Sequence, residues 1–94
     1  MNLVDLFSKK IKPKQISSDE REEYVMSIQK GYSLSRKSLE LLKNFERTDC
    51  IINKLRNPTK DNLSSVLVTL EINDTEDNRE YFKNIGNEMK KKYG

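Results

Sequence analysis

The single cysteine, Cys50, is the strongest nucleophile that this chain of 94 residues could offer. A thiol reacts as its thiolate, so a working one needs a cation or an imidazole beside it. Cys50 instead follows Asp49, whose carboxylate opposes a neighbouring negative charge, and the chain contains no histidine. That absence also removes the usual general base near neutral pH and the commonest zinc ligand. The three glycines, Gly31, Gly86 and Gly94, are too scattered to make a phosphate-cradling loop. The serines have no base to activate them. The sequence therefore predicts a protein that is not an enzyme and uses no cofactor. Cys50 is expected as a small buried or half-buried residue on a helix.

Asp74, Glu76 and Asn78 have the spacing of the first three ligands of a calcium loop. The sixth position is then Arg79, where glycine is needed for the turn, and the twelfth is Ile85, where a bidentate acid is needed. An acidic helix N-terminus accounts for these residues without a metal. Two lysine clusters could contact phosphates: Lys9, Lys10, Lys12 and Lys14, and the run Lys90, Lys91 and Lys92. Neither has interleaved aromatics for base stacking. Each also sits where a helix end or a tail would place basic residues for capping and solubility.

Ser27–Lys43 reads as helix, glycine turn, helix, and so invites comparison with a DNA-binding helix-turn-helix. Four residues before Gly31 that motif needs a small side chain, and Ser27 complies. One residue before the glycine and six after it, the motif buries its side chains. Lys30 and Lys37 stand there instead. A hairpin turn or kink is the better reading.

The elements that must position these residues follow from apolar spacing. Residues 2–11 form a short amphipathic helix with Leu3, Leu6, Phe7 and Ile11 on one face, stopped by Pro13. It could dock on the body, and its weaker alternative is a membrane interface. Ser17-Ser-Asp-Glu20 is a capping box with Ile16 as hydrophobic staple, which starts a second helix. Tyr24, Val25, Ile28 and Tyr32 give that helix its apolar face, and Gly31 ends it. From Ser33 to Arg56 the pattern predicts one long helix. On a wheel of 100° per residue, Leu34, Leu41, Phe45, Ile52 and Leu55 share an arc of about 80°. Asn57-Pro58 stops it. Residues 63–72 fit a helix through Leu63, Val66, Leu67 and Leu70, or a strand through Val66, Val68, Leu70 and Ile72. Helix is preferred, because a lone strand has no partner in this chain. The polar stretch 73–77 caps a last helix with Tyr81, Phe82, Ile85 and Met89 inside. The expected fold is all-α, with about four helices around the long central one (33–56) and the N-terminal helix beside them. Residues 1–94 make one domain, with 1–16 as helical arm and loop and 17–94 as the body.

The formal charge is +3, with all of the excess in residues 1–47. One cysteine fits a reducing compartment, and the N-terminus lacks the layout of a secretory signal, so the expected location is the cytoplasm. Thirteen lysines, nine asparagines and no alanine suit an AT-rich coding sequence. A phage or mobile element of a low-GC bacterium is the expected source.

What remains for function is surface. Leu39 and Ile51 leave the apolar stripe of the long helix, with Arg36 and Lys37 beside Leu39. An exposed apolar side chain with a charged rim is the anchor that helix-face recognition requires. The sequence reading is a small protein-binding protein that occupies a macromolecular partner as inhibitor, antagonist, immunity factor or adaptor. Arg36, Lys37, Leu39 and Ile51 are its contact residues. The alternative is a small DNA-associated regulator acting through the lysine clusters. Homodimerisation along the long helix is compatible with both.

Overall fold

A computed structural model describes residues 15–94, which fold into five α-helices with no strand among them. The N-terminal helix expected over 2–11 lies outside the described residues. Helix α1 spans Ser18–Gly31. Ser17 caps it by accepting the amide of Glu20 at 3.3 Å, and Ile16 is buried beside the cap; the residue in the staple's partner position is Arg21, which bonds to the Ile16 carbonyl instead of packing an apolar side chain on it. Only half of the expected capping box forms. Glu20 does not turn back to the cap; it is 5% exposed and pairs with Arg56. Gly31 is the last helical residue, and the chain continues extended through Tyr32.

The long helix expected over 33–56 is two helices. Helix α2 spans Arg36–Lys43 and α3 spans Phe45–Arg56, with Asn44 as the corner. Ser35 caps α2 by accepting the amide of Ser38. At the corner, Asn44 leaves the helical region at φ −86°, ψ 116°. Its amide donates to the Leu41 carbonyl and its side chain accepts the Arg47 amide at 3.1 Å. One residue thus ends one helix and caps the next. The freed carbonyls also find a donor. Thr48, 1% exposed, gives its hydroxyl to Leu42 at 2.9 Å and Leu41 at 3.2 Å. The corner changes which residues face inward. Leu42 is buried, Leu41 is half-buried, and Phe45 is 67% exposed.

Helix α4 spans Lys60–Thr69, capped by Thr59. Leu63, Val66 and Leu67 are buried, while Val68 is 72% exposed. That is helical phase; a strand would have put Val66 and Val68 on one face. After α4, the Glu71 amide bonds to the Val68 carbonyl and the Ile72 amide to the Leu67 carbonyl. Glu71 adopts φ +59°, the left-handed conformation that such a helix end requires and that glycine more often supplies. Helix α5 spans Glu76–Tyr93, capped by Thr75.

Helix α3 is the hub and packs against all four others; α5 packs against α1, α3 and α4. Tyr24, Ile52, Leu55, Leu67 and Phe82 are the centre of the core, each at 1% exposure or less. Tyr32, Tyr81 and Phe82 form an aromatic cluster with ring centroids 5.2–5.7 Å apart. Tyr81 also donates its hydroxyl to the Ser27 carbonyl at 2.6 Å, tying α5 to the end of α1.

Candidate partner surface

Four sequence candidates lie on the expected long helix, and the corner at Asn44 separates Arg36, Lys37 and Leu39 from Ile51. Arg36 and Lys37 are exposed in the first turn of α2. Leu39 is half-buried on the flank of that helix, whose inner side is Ser38 and Leu42. Ile51 is on α3 and is 4% exposed. It is a core residue and no surface anchor. The reason is the hub position of α3: a helix wrapped on several sides buries a wider arc than one stripe. Cys50 is corrected in the opposite direction, since it is exposed rather than buried. Lys90, Lys91 and Lys92 are exposed at the end of α5. Lys9, Lys10, Lys12 and Lys14 lie outside the described residues.

The residue that the wheel misplaced is the most informative one. Phe45, expected inside, is the one exposed aromatic among the described residues. It is the first residue of α3. Helical side chains lean toward the N-terminus, so at this position the ring projects past the end of the helix rather than onto the next turn. A sequence signal existed: Asn44 is a good N-cap residue, and a helix starting there puts Phe45 in its first turn.

The ring is not loose. The Arg21 guanidinium lies 4.4 Å from its centroid, a cation–π distance. Arg21 is itself fixed by two bonds to Asp49, from Nε at 3.1 Å and Nη2 at 3.3 Å, and by a third to the Ile16 carbonyl at 2.9 Å. This fork fits a carboxylate in a way that lysine could not. One residue away on α1, Glu20 pairs with Arg56 at the far end of α3. Two adjacent residues of α1 thus clamp α3 at points two turns apart. These carboxylates and guanidinia are consumed by each other, so the cluster positions rather than reacts. Its product is a rigid platform with an aromatic ring on top.

The acids of the α4–α5 turn are also engaged. Arg79 binds both carboxylate oxygens of Asp74, and Ser64 donates to the same group. These bonds hold the Asp74 carboxyl below the usual carboxylate range, the Arg79 bond most strongly. Asn78 gives its amide to the Asn73 carbonyl and accepts the Tyr32 hydroxyl at 2.7 Å. The calcium-like spacing is used for a helix cap and its support.

No helix among the described residues is long and apolar enough to cross a membrane. Comparison with protein-family models, curated proteins and solved structures gives no match.

Proposed function

We propose that this is a small, non-enzymatic, all-α protein-binding protein of the cytoplasm. It acts by occupying a macromolecular partner, in the manner of an inhibitor, antagonist, immunity factor or adaptor. The observation that carries this reading is Phe45. A ring 67% exposed, backed by a triply anchored arginine, has its conformation set before any partner arrives. Preorganisation of that kind lowers the entropy cost of binding, and aromatic and arginine side chains are the usual centres of interface energy. Arg36 and Lys37 are exposed on α2 with Leu39 half-buried on its flank, and they remain proposed contact residues on that helix. Met26 and Val68 are exposed singly, which is ordinary for a soluble surface.

The test is retention of a stoichiometric protein partner by the tagged chain. Phe45→Asp and the pair Arg36→Glu/Lys37→Glu are expected to weaken that complex at least tenfold with helicity and melting unchanged. Val68→Asp, which adds the same charge at another exposed apolar site, should leave it intact. Equal losses from Phe45→Asp and Val68→Asp, or no stoichiometric protein, would overturn the reading. Sedimentation equilibrium covers the case of a second copy: a mass twice 11.1 kDa that Phe45→Asp halves identifies a homodimer.

A further inference from the structure

The corner at Asn44 stands between two helices whose sequence does not require a break. Leu41, Phe45, Ile52 and Leu55 keep one apolar stripe through it, and no glycine or proline falls between Ser35 and Asn57. The hydrogen bonds of the corner also have a helical counterpart. In the bent chain the Thr48 hydroxyl donates to the carbonyls of Leu41 and Leu42, and the Asn44 side chain accepts the Arg47 amide. In one helix over 36–56, the amides of Phe45 and Glu46 take those same two carbonyls, and the Arg47 amide takes that of Lys43. The Thr48 hydroxyl then falls on the Asn44 carbonyl, the usual acceptor of a helical threonine. Each bond of the corner thus has a replacement in the straight helix. Near-equal bonding in two arrangements is what a bistable element needs.

Straightening has one large cost, and that cost names the partner. The contacts that hold residues 15–43 cross to the other side of the corner. Arg21 is bound to Asp49, Glu23 to Lys92, and the Ser27 carbonyl to Tyr81. Ser35 is bound to Glu71 and Ser38 to the Leu70 carbonyl. Tyr24, Ile28 and Leu42 are buried, with α1 packed on α3 and α5, and α2 packed on α3. The packing of α1 on α2 is slight. A chain that straightened alone would therefore expose the whole of this surface. A second copy that straightens at the same residue offers the identical surface in return.

We propose that two copies of this chain exchange residues 15–43 about Asn44, giving a swapped dimer in which 36–56 is one helix. The contacts across the corner are remade, residue for residue, with the second copy. The one interface that the monomer lacks forms around the two hinges. Phe45 is the residue next to the hinge, so the ring that the monomer leaves 67% exposed gains cover there. The inference does not rest on the protein-binding reading, which uses Phe45 in the bent chain.

The experiment refolds the full chain at high concentration, as an equal mixture of unlabelled and heavy-nitrogen-labelled protein, and separates the products by gel filtration. A species of twice 11.1 kDa is expected. A water-soluble carbodiimide joins carboxylates to amines in contact, so the pair Glu23 and Lys92 reports the exchange. In the dimer their crosslinked peptide should combine labelled and unlabelled halves, and in the monomer it should not. Asn44→Ala removes the cap of the corner and favours the straight helix, and each dimer has two hinges. It should raise the dimerisation constant at least tenfold. Proline fits the first turn of α3 after the extended Asn44 but breaks a continuous helix. Asn44→Ala/Phe45→Pro should therefore be monomeric. Asn44→Ala/Phe45→Ala, which also lacks the ring, should remain dimeric, and circular dichroism checks that both are folded. Absence of a wild-type dimer at the highest soluble concentration overturns the proposal. So does equal dimerisation of the proline and alanine variants. A dimer whose Glu23–Lys92 peptide is never mixed also overturns it, and identifies bent copies docked through their surfaces.

Discussion

Gly86 of α5 lies against the backbone carbonyl of Leu55 in α3. A Cβ at position 86 would overlap the carbonyl oxygen and come within 2.9 Å of the carbonyl carbon. The two helices meet there backbone to backbone, with Leu55 itself fully buried and Ile85 beside it. A backbone carbonyl in a helix cannot swing aside, so the helices must separate to admit even one methyl group. Gly86→Ala is expected to destabilise by about 3 kcal/mol or more, a large share of what a domain this size has. Gly31→Ala is the control. A Cβ there meets the Tyr81 ring at 2.6 Å, a side chain that can shift only by giving up its bond to the Ser27 carbonyl. It should cost about 1–2 kcal/mol, less than at Gly86 because side chain rather than backbone must move, and urea unfolding of both variants measures the contrast.

The clamp between α1 and α3 predicts a non-additive result. Glu20 and Arg56 are paired with side chains 6% and 11% exposed, and each leaves a buried charge if the other is removed. Glu20→Leu or Arg56→Met alone should therefore lose about 3 kcal/mol. The double variant puts two apolar groups in the same space and should recover most of that. A double-mutant cycle by denaturant unfolding gives the coupling energy. Simple addition of the two losses would show that the pair contributes no mutual stabilisation.

The corner at Asn44 shows where the sequence could be read and where it could not. Caps and stops are local chemistry. Ser17, Ser35 and Asn57 each do what their side chains and position favour, and α1 ends at Gly31 although Tyr32 rather than the glycine is its C-cap; the helical reading of 63–72 also holds. The corner depends on a group that is distant until the chain folds. Nothing local forbids a helix from 36 to 56, and its wheel is continuous. The break is held by the Thr48 hydroxyl, which takes up the carbonyls of Leu41 and Leu42 in the core. The error propagates to the surface: Phe45 moves out, Ile51 moves in, and Cys50 faces solvent. Thr48→Val keeps the shape and removes the donor. It should destabilise by about 1–3 kcal/mol, because the buried Leu42 carbonyl loses its hydroxyl donor while the Leu41 carbonyl keeps only the Asn44 amide. Asn44→Ala removes only the exposed cap and should cost about 1 kcal/mol. Thermal melts of the two variants rank the contributions, and the reverse order would mean that the cap, and not the core, sets the corner.

Tyr24 gives the pH dependence. Its side chain is fully buried, and its hydroxyl has no hydrogen-bond partner among the described residues. Burial disfavours the phenolate and pushes its pKa from 10.0 up to about 12. A group with a raised pKa in the folded state contributes its stabilisation fully below the unfolded value. That contribution is lost as the pH rises from 10 toward 12, because the unfolded chain releases the proton first. Stability should therefore fall over that range. Absorbance at 295 nm should show one tyrosine ionising only as the protein unfolds. Tyr24→Phe should remove that part of the alkaline loss. At neutral pH the same variant is expected to be neutral or to stabilise by about 1 kcal/mol, since an unpaired buried hydroxyl is a cost that phenylalanine does not carry. Destabilisation by Tyr24→Phe at pH 7 would mean that the hydroxyl has a bonding partner in solution.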